Sequence, residues 1–100
     1  FTLHQQQLQV AAEIGRALSD YRRSAEQAVL FKSGIIPQAS QTVASMLAGY
    51  QVNKVDFLNL VRSQITLYNY ETQYWKALSE SRQALARLVS AVGEEDIYEK

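Results

Sequence analysis

Few residues in this chain combine the side-chain type and the spacing that catalysis or metal binding requires. The one histidine, His4, lies near the N-terminus and belongs to no Glu-x-x-His pair of the kind that binds iron in helical bundles. The absence of cysteine from the sequence excludes disulfides and thiolate metal sites. The sequence also lacks a glycine-rich phosphate-binding loop and a nucleophile with a neighbouring base. We therefore predict that the protein is not an enzyme and that it binds no cofactor and no metal ion.

The amino-acid composition argues against a nucleic-acid-binding protein and against a membrane-spanning helix. Ten basic and ten acidic side chains give a formal net charge of zero, whereas nucleic-acid-binding domains usually have a basic face, so we expect no nucleic-acid partner. No apolar run approaches the ~18 residues that a membrane-spanning helix needs. One proline and four glycines among 100 residues favour a single domain built from long helices. The sequence begins with Phe1 and opens directly on a helical pattern, so we interpret it as part of a longer protein.

Polar side chains concentrate in one short break in the helical pattern, the sequence YQVNKVD at 50–56. Asn53 is of the residue type that, after glycine, best tolerates a positive φ. Asp56 can accept hydrogen bonds from backbone N–H groups at the start of the following helix, and its charge suits the positive end of the helix dipole. The break thus predicts a helix end, a tight turn and an N-cap. We expect the chain to reverse here and to form a long, coiled-coil-like antiparallel helical hairpin.

The first helical pattern runs from about Leu3 to Tyr50 and contains Pro37. Proline lacks an N–H and crowds the carbonyl group four residues earlier, so the helix must either kink near Pro37 or end there and turn back. Apolar residues continue at spacings of about three and four beyond the proline, which favours the kink. These residues are Ile14, Leu18, Tyr21, Ala25, Ala28, Ile35, Ala39, Val43, Met46 and Tyr50. A true reversal, which would give a three-helix bundle, is the alternative.

The second helical pattern runs from about Phe57 to Val92. Gly93 follows directly and is expected to end the helix, because glycine readily takes the left-handed conformation that closes helices. Residues 94–100, EEDIYEK, are then expected to form a polar, frayed tail. These boundaries predict a hairpin domain over residues 1–93 and a tail over residues 94–100.

Two apolar stripes follow the second helix and point about 150° apart at ~100° per residue. The first stripe comprises Leu58, Val61, Ile65, Tyr68, Thr72 and Trp75. The second stripe comprises Leu60, Leu67, Tyr70, Tyr74, Ala77, Ala84, Leu88 and Ala91, and its small residues indicate a close approach between helices. A helix in a simple hairpin needs one apolar stripe, so two stripes predict a neighbour on each side, as in a sheet or tube of helices. The central helix of an ordinary bundle is the alternative.

The unequal lengths of the two helical patterns leave apolar residues without a partner. Counted outward from the turn, the second helix reaches back only to about Ile14 or Gly15, so Leu3, Leu8, Val10 and Ile14 are expected to have nothing opposite them. The second stripe is expected to remain uncovered as well. Contiguous apolar patches of this size are rare on soluble monomers, so we predict that the chain by itself forms a dimer or a higher oligomer.

Two segments, LAGYQVNKVDFLNLVRSQITLYNYE at 47–71 and ALSESRQALARLVSAVG at 77–93, resemble the periplasmic tip of the TolC-like outer-membrane factors, the exit ducts of tripartite efflux pumps. The shared features are the pair Gly49-Tyr50, the run 54–58 and the triplet 67–69, at family-like spacing. The stretch IIPQA at 35–39 resembles a stretch upstream of the tip in the heavy-metal (cation) efflux branch. The resemblance covers most of the chain.

The resemblance implies the periplasmic portion of an outer-membrane protein from a Gram-negative cell. In this family three copies form a helical tunnel that extends into the periplasm. The hairpin tips form the tunnel entrance, close it at rest and dock onto a periplasmic adaptor, through which the tunnel is connected to an inner-membrane pump. A helix of such a tunnel has a neighbour on each side, as the two stripes require.

The resemblance also assigns roles to single residues. Tyr50 matches a tyrosine that in some members helps to hold the entrance shut, and Asn53 stands where the family usually has glycine. Some members latch the entrance with one arginine and two aspartates; these positions hold Val55, Asn59 and Arg62 here, so the charged latch is not preserved in that form. We assign Tyr50, Asn59 and Arg62 to the entrance. The residues predicted to bind the partner at the tip are Val52, Lys54, Val55, Asp56 and Leu58.

A generic helical coiled-coil interaction or adaptor module, with no role in transport, is the alternative function. Such a hairpin needs only a turn, whereas a duct also needs polar side chains that point into a lumen just past the turn. Gln51, Lys54, Asn59 and Arg62 meet that need, but a solvated turn accounts for them as well.

Overall fold

The computed structural model describes residues 2–99 and consists of helices joined by one tight turn, with no strand among these residues. Helix α1 comprises Leu3–Leu30, a π-helical segment comprises Phe31–Ile35, helix α2 comprises Ile36–Gln51 and helix α3 comprises Phe57–Glu99. The chain reverses between α2 and α3. The all-α antiparallel hairpin that the sequence predicts is therefore confirmed.

Two compact units divide the hairpin. The terminal unit consists of Phe1–Glu26 and Ala77–Lys100, and the tip unit consists of Gln27–Lys76. In each unit a segment that precedes the turn packs against a segment of α3.

Small side chains form the core of the terminal unit. Ala84 is completely buried, and the other buried residues of this unit are Val10, Ala17, Ser24, Ala77, Ser81 and Ala91. The hydroxyl groups of Ser24 and Ser81 donate to the carbonyl oxygens of Asp20 and Leu78 in their own helices, each at 2.7 Å, so burial leaves neither hydroxyl without a partner. Short side chains at these positions let the two helices approach closely, as the small residues of the second stripe predict.

Helix α3 does not end at Gly93. It continues to Glu99, and Gly93 has no positive φ. The predicted helix end at Gly93 is therefore wrong, whereas the division into a domain over 1–93 and a tail over 94–100 stays a prediction. A glycine inside a helix costs only ~1 kcal/mol relative to alanine, which is too little to end a helix by itself.

The longer α3 also changes which residues near the N-terminus are covered. Val10, expected to lie without a partner, is buried. Leu3 and Leu8 are exposed, in agreement with the expectation for these two residues.

The second stripe of α3 is the covered stripe, and the first stripe is the one left exposed. Leu60 of the second stripe is 5% exposed, whereas Tyr68 and Trp75 of the first stripe are 68% and 64% exposed. The prediction that the second stripe lacks a partner within the chain is therefore wrong. The second stripe runs to Ala91 whereas the first ends at Trp75, so closing the hairpin on that side covers more apolar positions.

The helix passes Pro37 through a π-helical segment and does not turn back. At its end the N–H of Ile36 donates to the carbonyl oxygen of Phe31, five residues earlier, where an α-helix would bond four residues back. Pro37 then lies in the first turn of α2, where a missing N–H costs nothing. The first helix, predicted to kink near Pro37, departs from α-helical geometry there through the π-helical segment, and the three-helix bundle is excluded.

The π-helical segment holds one residue more than an α-helix with the same buried face would need. Buried and half-buried positions on α3 keep alternating spacings of three and four from Leu60 to Ala91. In α1 the buried and half-buried positions also alternate between spacings of three and four. Between Ile35 and Val43, however, two spacings of four follow one another. This adds one residue to the seven-residue repeat. A π-helical turn, in which each N–H bonds to the carbonyl group five residues earlier, accommodates the added residue. The apolar face of α2 therefore stays on α3. The positions concerned are Ala28, Phe31, Ile35, Ala39, Val43 and Met46.

Candidate functional site

Two backbone hydrogen bonds close the turn at the tip of the hairpin. Asn53 has a φ of 63° and so adopts the left-handed conformation. Its N–H donates to the carbonyl oxygen of Tyr50 at 3.0 Å, and the N–H of Lys54 donates to the carbonyl oxygen of Gly49 at 2.8 Å. This pair of bonds is the Schellman motif, which satisfies carbonyl groups at a helix C-terminus. The turn predicted within 50–56 and the conformation predicted for Asn53 are confirmed.

Asp56 caps the helix that follows the turn. Helix α3 begins at Phe57, and the N–H of Asn59 donates to Oδ1 of Asp56 at 2.8 Å. The carboxylate thus satisfies an N–H group that has no partner inside the helix, as the sequence predicts.

Gly49 makes a close contact that the sequence analysis did not identify. A Cβ atom at position 49 would lie 2.6 Å from Cγ2 of Val55, so Val55 can fold onto α2 only because residue 49 has no side chain. The N–H of Val55 also donates to the carbonyl oxygen of Gly49, at 3.2 Å. The signal was a glycine inside a helical pattern, which costs ~1 kcal/mol and usually has a packing reason. Val55, predicted to bind a partner, is half-buried and belongs to the packing of the turn.

The outer surface of the tip is apolar and is flanked by charged side chains. Val52 and Leu58 are 61% and 56% exposed. Lys54 and Asp56 are exposed beside them. Four of the five residues predicted to bind a partner therefore lie on the surface of the tip. Phe57, which the sequence analysis did not select, is 63% exposed and adds to the same apolar surface.

The residues assigned to an entrance lie close to the turn. The ring of Tyr50 is 5.9 Å from the ring of Phe57, centroid to centroid, so this tyrosine packs within its own hairpin. The side chains of Asn59 and Arg62 are exposed. A single hairpin thus leaves Asn59 and Arg62 accessible to another chain and occupies one face of Tyr50.

The first stripe forms a continuous uncovered face on α3 within the tip unit. Ile65 is 54% exposed, and Leu58, Tyr68, Thr72 and Trp75 are exposed as well. Val61 is half-buried. These residues recur at spacings of three and four over five turns of helix, which is the pattern of a helix–helix contact surface.

A groove of about 940 Å³ lies between α2 and α3 in the tip unit. Its walls include the uncharged polar residues Gln38, Gln41, Thr42 and Ser45 of α2. Tyr70 of α3 also lines the groove, and its ring lies 6.3 Å from the ring of Phe31 in the π-helical segment.

The described part of the chain offers no metal site. Within residues 2–99 no three histidine, aspartate or glutamate side chains come close enough to hold an ion. His4 is exposed. None of the helices in this range is both long enough and apolar enough to cross a membrane.

Comparison of the chain with protein-family models, with curated proteins and with solved structures finds no match. An assignment of function therefore depends on the residues of the tip and of the first stripe, and on the resemblance of the tip segment.

Proposed function

We propose that this hairpin is a wall element of a helical efflux duct and that its tip docks a periplasmic adaptor protein. In this proposal the chain is the periplasmic part of a trimeric outer-membrane channel, and an inner-membrane pump delivers the cargo through the adaptor. The role is structural, and no catalytic step is assigned to any residue. The tip segment 47–71 supplies the resemblance from which the proposal starts.

The single observation that carries the proposal is the uncovered first stripe. A helix of a tube needs a partner on each side. Within the hairpin, the helices before the turn cover one side of α3, the side that carries the second stripe. The opposite side keeps Ile65, Tyr68 and Trp75 more than half exposed. A neighbouring helix of a tube would cover these side chains, and their burial would contribute about 25 cal/mol per Å² of apolar area.

The surface of the tip supports the docking half of the proposal. Val52, Phe57 and Leu58 offer apolar contact area at the end of the hairpin. Lys54 and Asp56 supply one charge of each sign beside them, which favours an oriented contact with a partner of complementary charge. The Schellman turn and the Asp56 cap hold this surface in one conformation, so little conformational entropy is lost on binding.

The wall contact is tested by self-association of the chain. We expect it to form an oligomer at micromolar concentration and expect Ile65→Glu with Tyr68→Glu to dissociate it with little loss of helix content, because both side chains lie outside the hairpin core. Sedimentation equilibrium and far-ultraviolet circular dichroism measure the two quantities. Gln64→Glu with Gln73→Glu is the matched control, since it adds the same charge at exposed positions beside the stripe. A wild-type monomer of 11.3 kDa would remove the wall element from the proposal.

The docking contact is tested in the full-length protein. Lys54→Glu is expected to reduce binding to the adaptor and export of the cargo, while the amount of assembled channel stays the same, because Lys54 contributes only its backbone N–H to the turn. Arg82→Glu makes the same change of charge at an exposed position of the terminal unit and is expected to leave export unchanged. Unchanged export in Lys54→Glu would separate this residue from docking. If the wild-type chain self-associates and Lys54→Glu leaves export unchanged, the alternative function, a generic interaction module, is favoured.

A further inference from the structure

Helix α2 can present either of two faces to α3 without burying a charge. Its 16 residues, IPQASQTVASMLAGYQ, include no aspartate, glutamate, lysine or arginine. In the observed register the half-buried positions of α2 include Ala39, Val43 and Met46. One residue earlier along the chain, three uncharged residues have the same spacing and are exposed; we call them the polar face, and they are Gln38, Thr42 and Ser45. A rotation of α2 by one residue would exchange the two faces.

The π-helical segment holds the one residue that such a rotation requires. If Phe31–Ile35 relaxed to an α-helix, α2 would rotate by ~100° and advance by ~1.5 Å toward the tip. The polar face would then lie on α3, and the added residue would leave the π-helical segment. Because α3 begins at a fixed cap, Asp56, the added residue would enter the loop between α2 and α3.

The tip turn and Pro37 both oppose this movement. In the observed register Gly49 packs against Val55, and the N–H groups of Asn53 and Lys54 bond to the end of α2. A loop with one more residue cannot keep this set of hydrogen bonds, because each bond has a fixed count of residues between donor and acceptor. The π-helical segment and the Schellman turn therefore exist together or are lost together.

We propose that the π-helical segment and the tip turn exchange one residue, so that α2 is a two-register element that links events at the tip to the middle of the hairpin. In the first register the extra residue is in the π-helical segment and the tip is closed. In the second register it is in the tip loop and α2 presents its polar face to α3. Helix α2 spans 16 residues, about 24 Å at ~1.5 Å per residue, which is the distance over which the exchange acts.

The first register is the ground state for two reasons. It half-buries Val43 and Met46 in place of Thr42 and Ser45. It also keeps Pro37 in the first turn of α2, whereas an α-helix through residues 31–35 would press the proline ring against the carbonyl group of Ser33. A partner that binds the tip in its opened form would favour the second register by its differential affinity for the two states. This trigger rests on the proposed docking function, whereas the exchange itself is a property of the single chain and can be tested without a partner.

The test makes the polar face apolar. In Thr42→Leu with Ser45→Leu the second register should gain stability, so hydrogen exchange of the full chain should change in opposite directions at two separate places. We expect the amides of residues 32–36 to exchange about tenfold more slowly, and those of Asn53 and Lys54 about tenfold faster, than in the wild type. Nuclear magnetic resonance resolves these amides one by one.

Two controls make the result specific. Ser40→Leu with Ala44→Leu adds the same side chains at exposed positions that neither register buries, and it should change neither region. Deletion of Gly34 with Pro37→Ala removes the extra residue; in that background Thr42→Leu with Ser45→Leu should no longer accelerate exchange at the tip. Changes of the same sign in both regions, no change in either, or acceleration at the tip in the deletion background would overturn the proposal.

Discussion

Replacing Ala84 by leucine is expected to lower the free energy of unfolding of the chain by about 3 kcal/mol, the upper end of the usual cost of overpacking a core. Ala84 is completely buried between the two helices of the terminal unit. Apart from Val10, the other buried residues of this unit are alanine and serine, whose short side chains leave little freedom to rearrange. The three added carbon atoms would therefore force the helices apart over several turns. Urea denaturation followed by circular dichroism measures the loss.

Ala86→Leu is the matched control for this substitution. It places the same side chain two residues away on the same helix, at an exposed position, and is expected to change the free energy of unfolding by less than about 0.5 kcal/mol. A stability of Ala84→Leu within that range would mean that the helices of the terminal unit are not in close contact at residue 84.

Replacing Gly49 by alanine is the second substitution with a large expected effect, and its sign is opposite to that of an ordinary helical glycine. Glycine to alanine inside a helix usually stabilises by about 1 kcal/mol. At position 49 the new Cβ atom would meet Cγ2 of Val55 at 2.6 Å, a distance that real Cβ atoms do not show. Val55 or the turn must then move, and we expect a loss of about 2 kcal/mol.

Two further variants isolate the cause of this loss. Gly15→Ala has nothing within 4 Å of its new Cβ atom and is expected to stabilise the chain. In a Val55→Ala background the 2.6 Å contact is absent and a contact of 3.3 Å to Cβ of residue 55 remains, so most of the cost of Gly49→Ala should disappear. The same free energies of unfolding, measured for the double-mutant cycle, give the coupling between the two positions. A coupling near zero would show that Val55 is not the reason for the glycine.

Local chemistry made the tip predictable from the sequence. Asn53 tolerates a positive φ by its own side-chain type, and Asp56 bonds an N–H three residues ahead, so both signals are contained within a few neighbouring residues. Hydrophobic periodicity likewise predicted long helices and both stripes of α3, because spacing along a helix follows from 3.6 residues per turn. The contact of Gly49 with Val55 was missed, since it depends on how the chain folds back after the turn.

The sequence by itself determined that the chain is an antiparallel helical hairpin, where it turns and which residues cap the turn. Only the tertiary structure decided which stripe of α3 is covered, whether α3 stops at Gly93 and how the chain passes Pro37. Both stripes are apolar, so their relative burial depends on which side the preceding helices cover along the whole of α3, and only the second stripe continues beyond Trp75 to Ala91. At Gly93 a propensity cost of ~1 kcal/mol is too small to end a helix by itself, so the residue type alone did not fix the helix end. Near Pro37 the π-helical segment follows from the match between two repeats far apart in the chain, because the added residue is defined only once α2 and α3 lie side by side.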